Sequence, residues 1–157
     1  MRIRESGPDD RDAVAVFLSS RGMRPVARLR EVLDPVDHPA LLAEEDGRLS
    51  GVATYVPGVE RWELLALYAR ESRSGVGTAL VEELERTATR AGARTLFLIT
   101  TNDNLDALRF YQRRGFRLRA LHAGQADWAR EHLKPQIPTA GDHGIPLRDE
   151  LELEKEL

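Results

Sequence analysis

Residues 62–77, Trp-Glu-Leu-Leu-Ala-Leu-Tyr-Ala-Arg-Glu-Ser-Arg-Ser-Gly-Val-Gly, decide how the rest of the chain is read. Trp62 to Ala69 has the composition of a strand. Ser72-Arg73-Ser74-Gly75-Val76-Gly77 then turns into an amphipathic helix expected over Thr78 to Ala91. A Gly-x-Gly turn between a strand and a helix start suits an anion, because small residues let backbone N–H groups converge on it. Taken alone the pattern is weak. Downstream, Thr95 to Thr100 is apolar on both strand faces, which calls for helices on both sides of the sheet. Asn102-Asp103-Asn104 opens a second helix that ends at Gly115-Phe116.

Upstream, Arg2 to Glu5 reads as a first strand, and Pro8-Asp9-Asp10 as the start of a helix whose stripe is Val14, Phe17 and Leu18. Val26, Leu29 and Leu33 fall near helical spacing, so Pro25 to Leu33 is expected to be a second helix, rich in arginine nearby (Arg21, Arg24, Arg28, Arg30). Ala40–Glu44 and Leu49–Val56 read as strands joined at Asp46-Gly47, two residue types that tolerate positive φ. Val59 to Ala69 completes the meander. On the helix after the glycine turn, Glu82 and Arg86 are spaced for an i,i+4 pair, and Gly92 suits its C-terminal end. Beyond Gly115, Phe116 to Ala120 alternates like a strand, and Gln125 to Leu133 reads as a short helix. The loop 134–146 holds three prolines and two glycines, and Arg148 to Glu154 closes the chain as a strand.

The chain of 157 residues is expected to form one domain, 1–157, with its segment 122–157 (helix, long loop, closing strand) as a candidate lid on the substrate side. There is no cysteine, which removes disulfides, thiolate metal sites and a cysteine nucleophile, and fits a reducing cytoplasm. A net charge of −3 gives no reason to expect nucleic acid or an anionic membrane as partner. No apolar run approaches the ~18 residues of a membrane span, and Met1 to Glu5 lacks the apolar core of a signal peptide. The four histidines, His38, His122, His132 and His143, have no mutual metal-ligand spacing, so no metal is expected.

The glycine turn and the later run Asn104-x-x-Ala107-x-x-Phe110-Tyr111-x-x-x-Gly115-Phe116 together resemble the two signature segments of the GNAT acyltransferase superfamily. The resemblance implies an α/β fold, with a mixed, mostly antiparallel sheet of six to seven strands and helices on both faces. It implies acetyl transfer from acetyl-CoA to a primary amine by direct attack, with two central strands near 62–69 and 95–100 splayed for the pantetheine arm. Leu67, Tyr68, Ala69, Arg73, Ser74, Gly75, Val76, Gly77 and Thr78 would bind the cofactor, with Asn104, Ala107 and Arg114 from the second segment. One N–H, of Leu67 or Tyr68, would serve the oxyanion. The family's usual Gln or Arg before the first glycine is Ser72 here, with Arg73 one step later.

Amine acetylation needs a base for the amine and a donor for the departing thiolate. Tyr111 occupies the family's tyrosine position and is the candidate donor; a tyrosine packed as core is the other reading. Glu63 is the candidate base, expected by period-2 geometry to share a face with Leu65 and Leu67; an ordinary glutamate at a strand's start is the other reading. His143 beside Asp142 reads as a turn pair. The acceptor is a small-molecule or peptide amine, a homodimer stays open, and a non-catalytic module that binds acyl-CoA for sensing or scaffolding is the rival function.

Overall fold

The structure, a computed structural model, describes residues 1–20, 22 and 24–157; Arg21 lies outside the described residues. Its elements run β1 (Arg2–Glu5), α1 (Arg11–Ser19), β2 (Val26–Arg28), β3 (Glu31–Leu33), β4 (Ala40–Glu45), β5 (Arg48–Val56), β6 (Arg61–Ala69), α2 (Val76–Arg90), β7 (Thr95–Thr101), α3 (Leu105–Gln112), β8 (Arg117–His122), α4 (Gln125–His132) and β9 (Glu150–Glu156). This is an α/β fold with a seven-stranded mixed sheet and four α-helices, and β2 and β3 form a separate two-stranded ribbon. Two compact units share the chain: Met1–Val26, Asp34–Leu96 and Leu157 form one, Ala27–Leu33 and Phe97–Glu156 the other.

In the first unit the strands lie in the order β1-β4-β5-β6, each antiparallel to the next. The β4–β5 turn is the expected one, with Asp46 at φ 50° and Gly47 at φ 74°. Helices cover both faces of this meander. On one, Val14, Phe17 and Leu18 of α1 pack with Val36, Ala40, Leu42 and Val52, and Tyr68 joins them. On the other, α2 sits so close that a Cβ on Gly51 would lie 2.4 Å from Val76 and 2.9 Å from Leu80. Glycine at 51 is therefore a packing requirement of the helix that carries the glycine turn. Along α2, Arg86 bonds Glu83 at 2.9 Å instead of Glu82, an i,i+3 pair one residue closer than expected, and Arg90 joins the same carboxylate at 3.1 Å. The start of α1 is fastened by a fork: Arg4 Nη1 and Nη2 bond Asp10 at 2.7 Å each, and Gly7 N–H donates to Asp10 Oδ2 at 2.7 Å.

In the second unit the order is β7-β9-β8, with β8 and β9 antiparallel. The largest departure from the sequence reading is here. The stretch expected as a helix over 25–33 is instead the β2–β3 hairpin, turned at Leu29 (φ 47°) and Arg30 (φ 66°). Two left-handed residues make the turn type that suits twisted strands, but neither is the glycine or asparagine that advertises it. Periodicity of three apolar residues misled because a short ribbon can place the same residues with no helix. The loop 134–146 is ordered by the side chain of Arg130, which donates to the carbonyls of Ile137, Pro138 and Leu147 at 2.8, 2.8 and 2.7 Å. Asp103, 4% exposed, fixes the loop's far end by accepting from Asp142 N–H at 2.8 Å.

Candidate active site

The strand before the glycine turn contains a β-bulge. Tyr55 pairs with Leu64 and Thr54 with Ala66, so Leu65 is an extra residue on β6. Directly paired residues share a sheet face, and a bulge therefore reverses the alternation beyond it. Glu63, opposite Val56, lies on the face of Ala66 and Tyr68, the α1 face. Leu64 lies with Leu67 and Ala69 on the α2 face. The expected grouping of Glu63 with Leu65 and Leu67 is corrected by this one residue. Trp62 confirms the assignment: its ring stacks on Tyr55 at 5.2 Å and 8°, as same-face neighbours can, while its Nε1–H donates to Gly58 O at 3.0 Å. Glu63 is 3% exposed, so its carboxylate sits within the fold. Beside it on that face, Thr54 Oγ1 is fully buried with no hydrogen-bond partner among the described residues.

From the bulge β6 runs to Tyr68, whose ring meets Phe17 edge-on at 5.5 Å, and to Ala69. Tyr68, Phe17, Val16, Asp12, Ser20 and Arg70 line an open cleft of about 590 Å³. The chain then turns through Arg73 (φ 63°), while Ser74 Oγ donates to Glu71 O at 2.9 Å. Gly75 caps α2 with φ 86°, and a Cβ there would meet nothing within 4 Å. Space is thus open above the turn, and the residue's backbone conformation rather than its size calls for glycine.

Electrostatics mark this helix start out. The helices α1, α3 and α4 each carry an acid in their first turn (Asp12, Asp106 and Asp127), where it answers the helix dipole. α2 carries none, and its cap has no side chain to offer. The first N–H groups of a helix have no partners inside it, so Val76, Gly77 and Thr78 present amides where no carboxylate competes. An acetyl donor's diphosphate fits such a turn; a carboxylate-lined turn would repel it.

The second segment is built in the other unit. Asn104 Oδ1 accepts from Ala107 N–H at 3.2 Å and so caps α3. Tyr111 is 8% exposed, edge-on to Phe110 at 5.0 Å and to Phe116 at 5.4 Å. No described residue hydrogen-bonds its hydroxyl. Burial pushes that hydroxyl above the usual tyrosine range, with Arg114 pulling weakly the other way, so it stays protonated at neutral pH. Arg114 folds back over Phe110 at 3.5 Å and donates to Phe110 O at 2.8 Å. Arg109 approaches Asp106 at 3.8 Å, and His143 Nε2 approaches the same carboxylate at 3.8 Å.

Comparison with known proteins now bears on these parts. The model of the acetyltransferase (GNAT) family matches residues 11–116, from α1 through both signature segments. The chain belongs to the GNAT acetyltransferase family. It is 40% identical over 124 residues to the uncharacterized protein YxbD of Bacillus subtilis (strain 168), covering 79% of this chain and 77% of that one. An uncharacterized N-acetyltransferase of Mycobacterium tuberculosis is 35% identical over 95 residues, 59% of this chain and 61% of its own. Among solved structures, a GNAT family acetyltransferase from Elizabethkingia anophelis with acetyl-CoA bound superposes with TM-score 0.71 at 18% identity, covering 99% of this chain and 97% of that one. The IAA acetyltransferase from Bacillus cereus gives TM-score 0.75 at 20% identity, covering 99% and 100%. These two likenesses concern the fold.

Among the described residues no helix is long and apolar enough to cross a membrane, and no cluster of three His, Asp or Glu side chains is arranged to hold a metal ion.

Proposed function

We propose that the protein transfers the acetyl group of acetyl-CoA to a primary amine. The observation that carries this reading is the start of α2, the one α-helix of four with no acid in its first turn, entered through a glycine at φ 86° with open space above it. Gly75, Val76, Gly77 and Thr78 hold the diphosphate on their amides, with Arg73 and Ser74 at its rim and Leu67, Tyr68 and Ala69 along the arm. Asn104, Ala107 and Arg114 contact the donor from the second segment.

The amine nitrogen attacks the thioester carbonyl carbon, the carbon–sulfur bond breaks, and the nitrogen's extra proton leaves to a base. Glu63 is that base in this proposal, on the α1 face to which the bulge turns it. An N–H of the bulged strand, at Leu67 or Tyr68, receives the oxyanion. Tyr111 supplies the hydrogen bond, and finally the proton, that the departing sulfur needs. Tyr111 is 8% exposed and burial keeps its hydroxyl protonated, which supports the donor role. The reaction belongs in a reducing cytoplasm, which the cysteine-free chain fits.

Release of free coenzyme A, followed with a thiol reagent over a panel of primary amines, tests the proposal. Amine-dependent release is expected. Binding of acetyl-CoA with no release for any amine would transfer the protein to the rival class, a non-catalytic acyl-CoA sensor.

A further inference from the structure

Under the turn of the β2–β3 hairpin the second unit collects polar groups that the proposed chemistry does not use. Glu150, the first residue of β9, is 2% exposed. Its Oε2 accepts from Leu29 N–H at 3.1 Å, and no described residue hydrogen-bonds Oε1. His122 stands directly opposite across the β8–β9 pair, its Nε2 3.4 Å from Glu152 Oε1. Gln125 begins α4, and its neighbours tie it to the approach of β9: Gly124 N–H donates to Asp149 Oδ1 at 2.7 Å and Ala126 N–H to Arg148 O at 2.9 Å. The Gln125 side chain accepts from Arg30 Nε at 3.4 Å through its oxygen, while its Nε2 is fully buried with no partner among the described residues.

A buried amide with an uncommitted N–H, as in Gln125, is costly to leave unmet, and the same unit holds the buried carboxylate of Glu150. Here they are fastened to adjacent residues of one turn, Leu29 and Arg30, both held at positive φ without glycine. Strain of this kind persists where the surroundings over-determine it, often at ligand clamps. Arg30 is held from its other side too, its guanidinium lying 4.8 Å from the ring centroid of Trp128.

Resting on the acetyl-transfer reading above, we propose that this is the acceptor-recognition site. Glu150 Oε1 takes the acceptor's ammonium, and Gln125 Nε2 donates to an oxygen carried close to that nitrogen. The substrate class is therefore a primary amine with a neighbouring hydroxyl, amide or carboxylate oxygen, not a bare alkylamine. Glu150 acts as a specificity-determining residue, and Leu29 N–H keeps its second oxygen aimed. Burial of Glu150 raises its carboxyl above the usual glutamate range, partly offset by the Leu29 N–H bond and by His122 and Arg28.

The alternative is that Glu150 merely ties down the hairpin. Glu150→Gln separates the two, because an amide oxygen still accepts from Leu29 N–H but carries no charge. Calorimetric titrations of phenylalaninol and of 2-phenylethylamine into the full chain provide the readout, with folding checked by circular dichroism. Wild-type protein is expected to favour phenylalaninol by about tenfold, the scale of one net hydrogen bond. Glu150→Gln should weaken both amines by roughly 10- to 100-fold, as removing one partner of a charge-assisted contact does, and Glu150→Asp should recover part of the loss. Gln125→Leu should erase only the preference for phenylalaninol. Wild-type affinity in Glu150→Gln, an intact preference in Gln125→Leu, or binding of neither amine to the wild-type chain would overturn the proposal. Titration of acetyl-CoA alone, run in parallel, tests the acetyl-transfer reading without reference to the amines.

Discussion

In the proposed function the two units would meet ligands in opposite ways. The first would offer an anion turn built from backbone: Gly75 takes φ 86° in open space, Gly77 follows, and no acid stands in the first turn of α2. The second works with buried side chains, Tyr111, Glu150 and Gln125, and holds Leu29 and Arg30 at positive φ by tertiary contacts. A site made of amides must choose glycine, and glycine is visible in a sequence. A site made of side chains depends on what the fold brings near them, and common residue types serve.

The sharpest way to break the contrast is Gly77→Asp. An acid in a helix's first turn favours the helix dipole and replaces a poor helix former, so thermal stability should hold or rise. Acetyl-CoA affinity should nevertheless fall beyond calorimetric detection, because the carboxylate takes the anion's place. Unchanged affinity would remove the backbone half of the contrast.

Next is Tyr111→Phe, which deletes one buried hydroxyl from the other unit. Acetyl-CoA affinity should change little, while turnover falls by about 10²–10⁴-fold, the range of acid–base catalysis. Turnover within a few-fold of wild type would make Tyr111 a packing residue.

A paired substitution compares the conformational costs. Gly75→Ala meets no neighbour within 4 Å, so its destabilisation should be purely that of a left-handed alanine, ~1–2 kcal/mol. Arg30→Gly relieves a similar strain but gives up the contact with Trp128, worth ~0.5–1 kcal/mol. Denaturant midpoints should therefore show a clear loss for the first and a net change within roughly 1 kcal/mol for the second. A large loss in Arg30→Gly would show that Trp128 and Gln125 hold the turn far more strongly than one cation–π contact can.

The smallest effect concerns a side-chain fork in the first unit, Arg4 on Asp10. The hydrogen bonds from Arg4, then that from Gly7, hold the Asp10 carboxyl at about 2, below its ordinary 3.8. A depressed carboxyl stabilises the fold above the ordinary value and loses that contribution as pH falls from 4 towards 2. Asp10→Asn should lower the melting temperature modestly at pH 7 and by progressively less below pH 4. A pH-independent difference would assign the loss to packing. The fork is partly exposed, so added salt should shrink it.

What the sequence disclosed follows the same division. Glycine and turn chemistry at Asp46-Gly47, Gly75 and Gly92, with apolar periodicity in α1 and α2, led to the meander, the glycine turn and its helix. The 26–33 hairpin was hidden because Leu29 and Arg30 carry no turn signal, and their contacts lie 121 and 95 residues away in the chain, at Glu150 and Gln125. The bulge at Leu65 was hidden because one leucine among several looks the same whether it is paired or extra. Tyr111 was found through its motif, but its unpaired hydroxyl belongs to packing that no motif states.

Leu65 also bears on how relatives of this chain should be aligned and altered. Removing a residue from a strand usually shortens it at little cost when the end is free. Deleting Leu65 removes the extra residue of β6, so strict alternation returns while Leu64 and Glu63 keep their partners across the ladder and their faces. Glu63 would stay on the face of Ala66 and Tyr68, and Trp62 on that of Tyr55, so their stack would be kept. A homologue whose strand is one residue shorter here keeps a position equivalent to Glu63 in space, provided the alignment gap is placed at Leu65 and not at the strand's end.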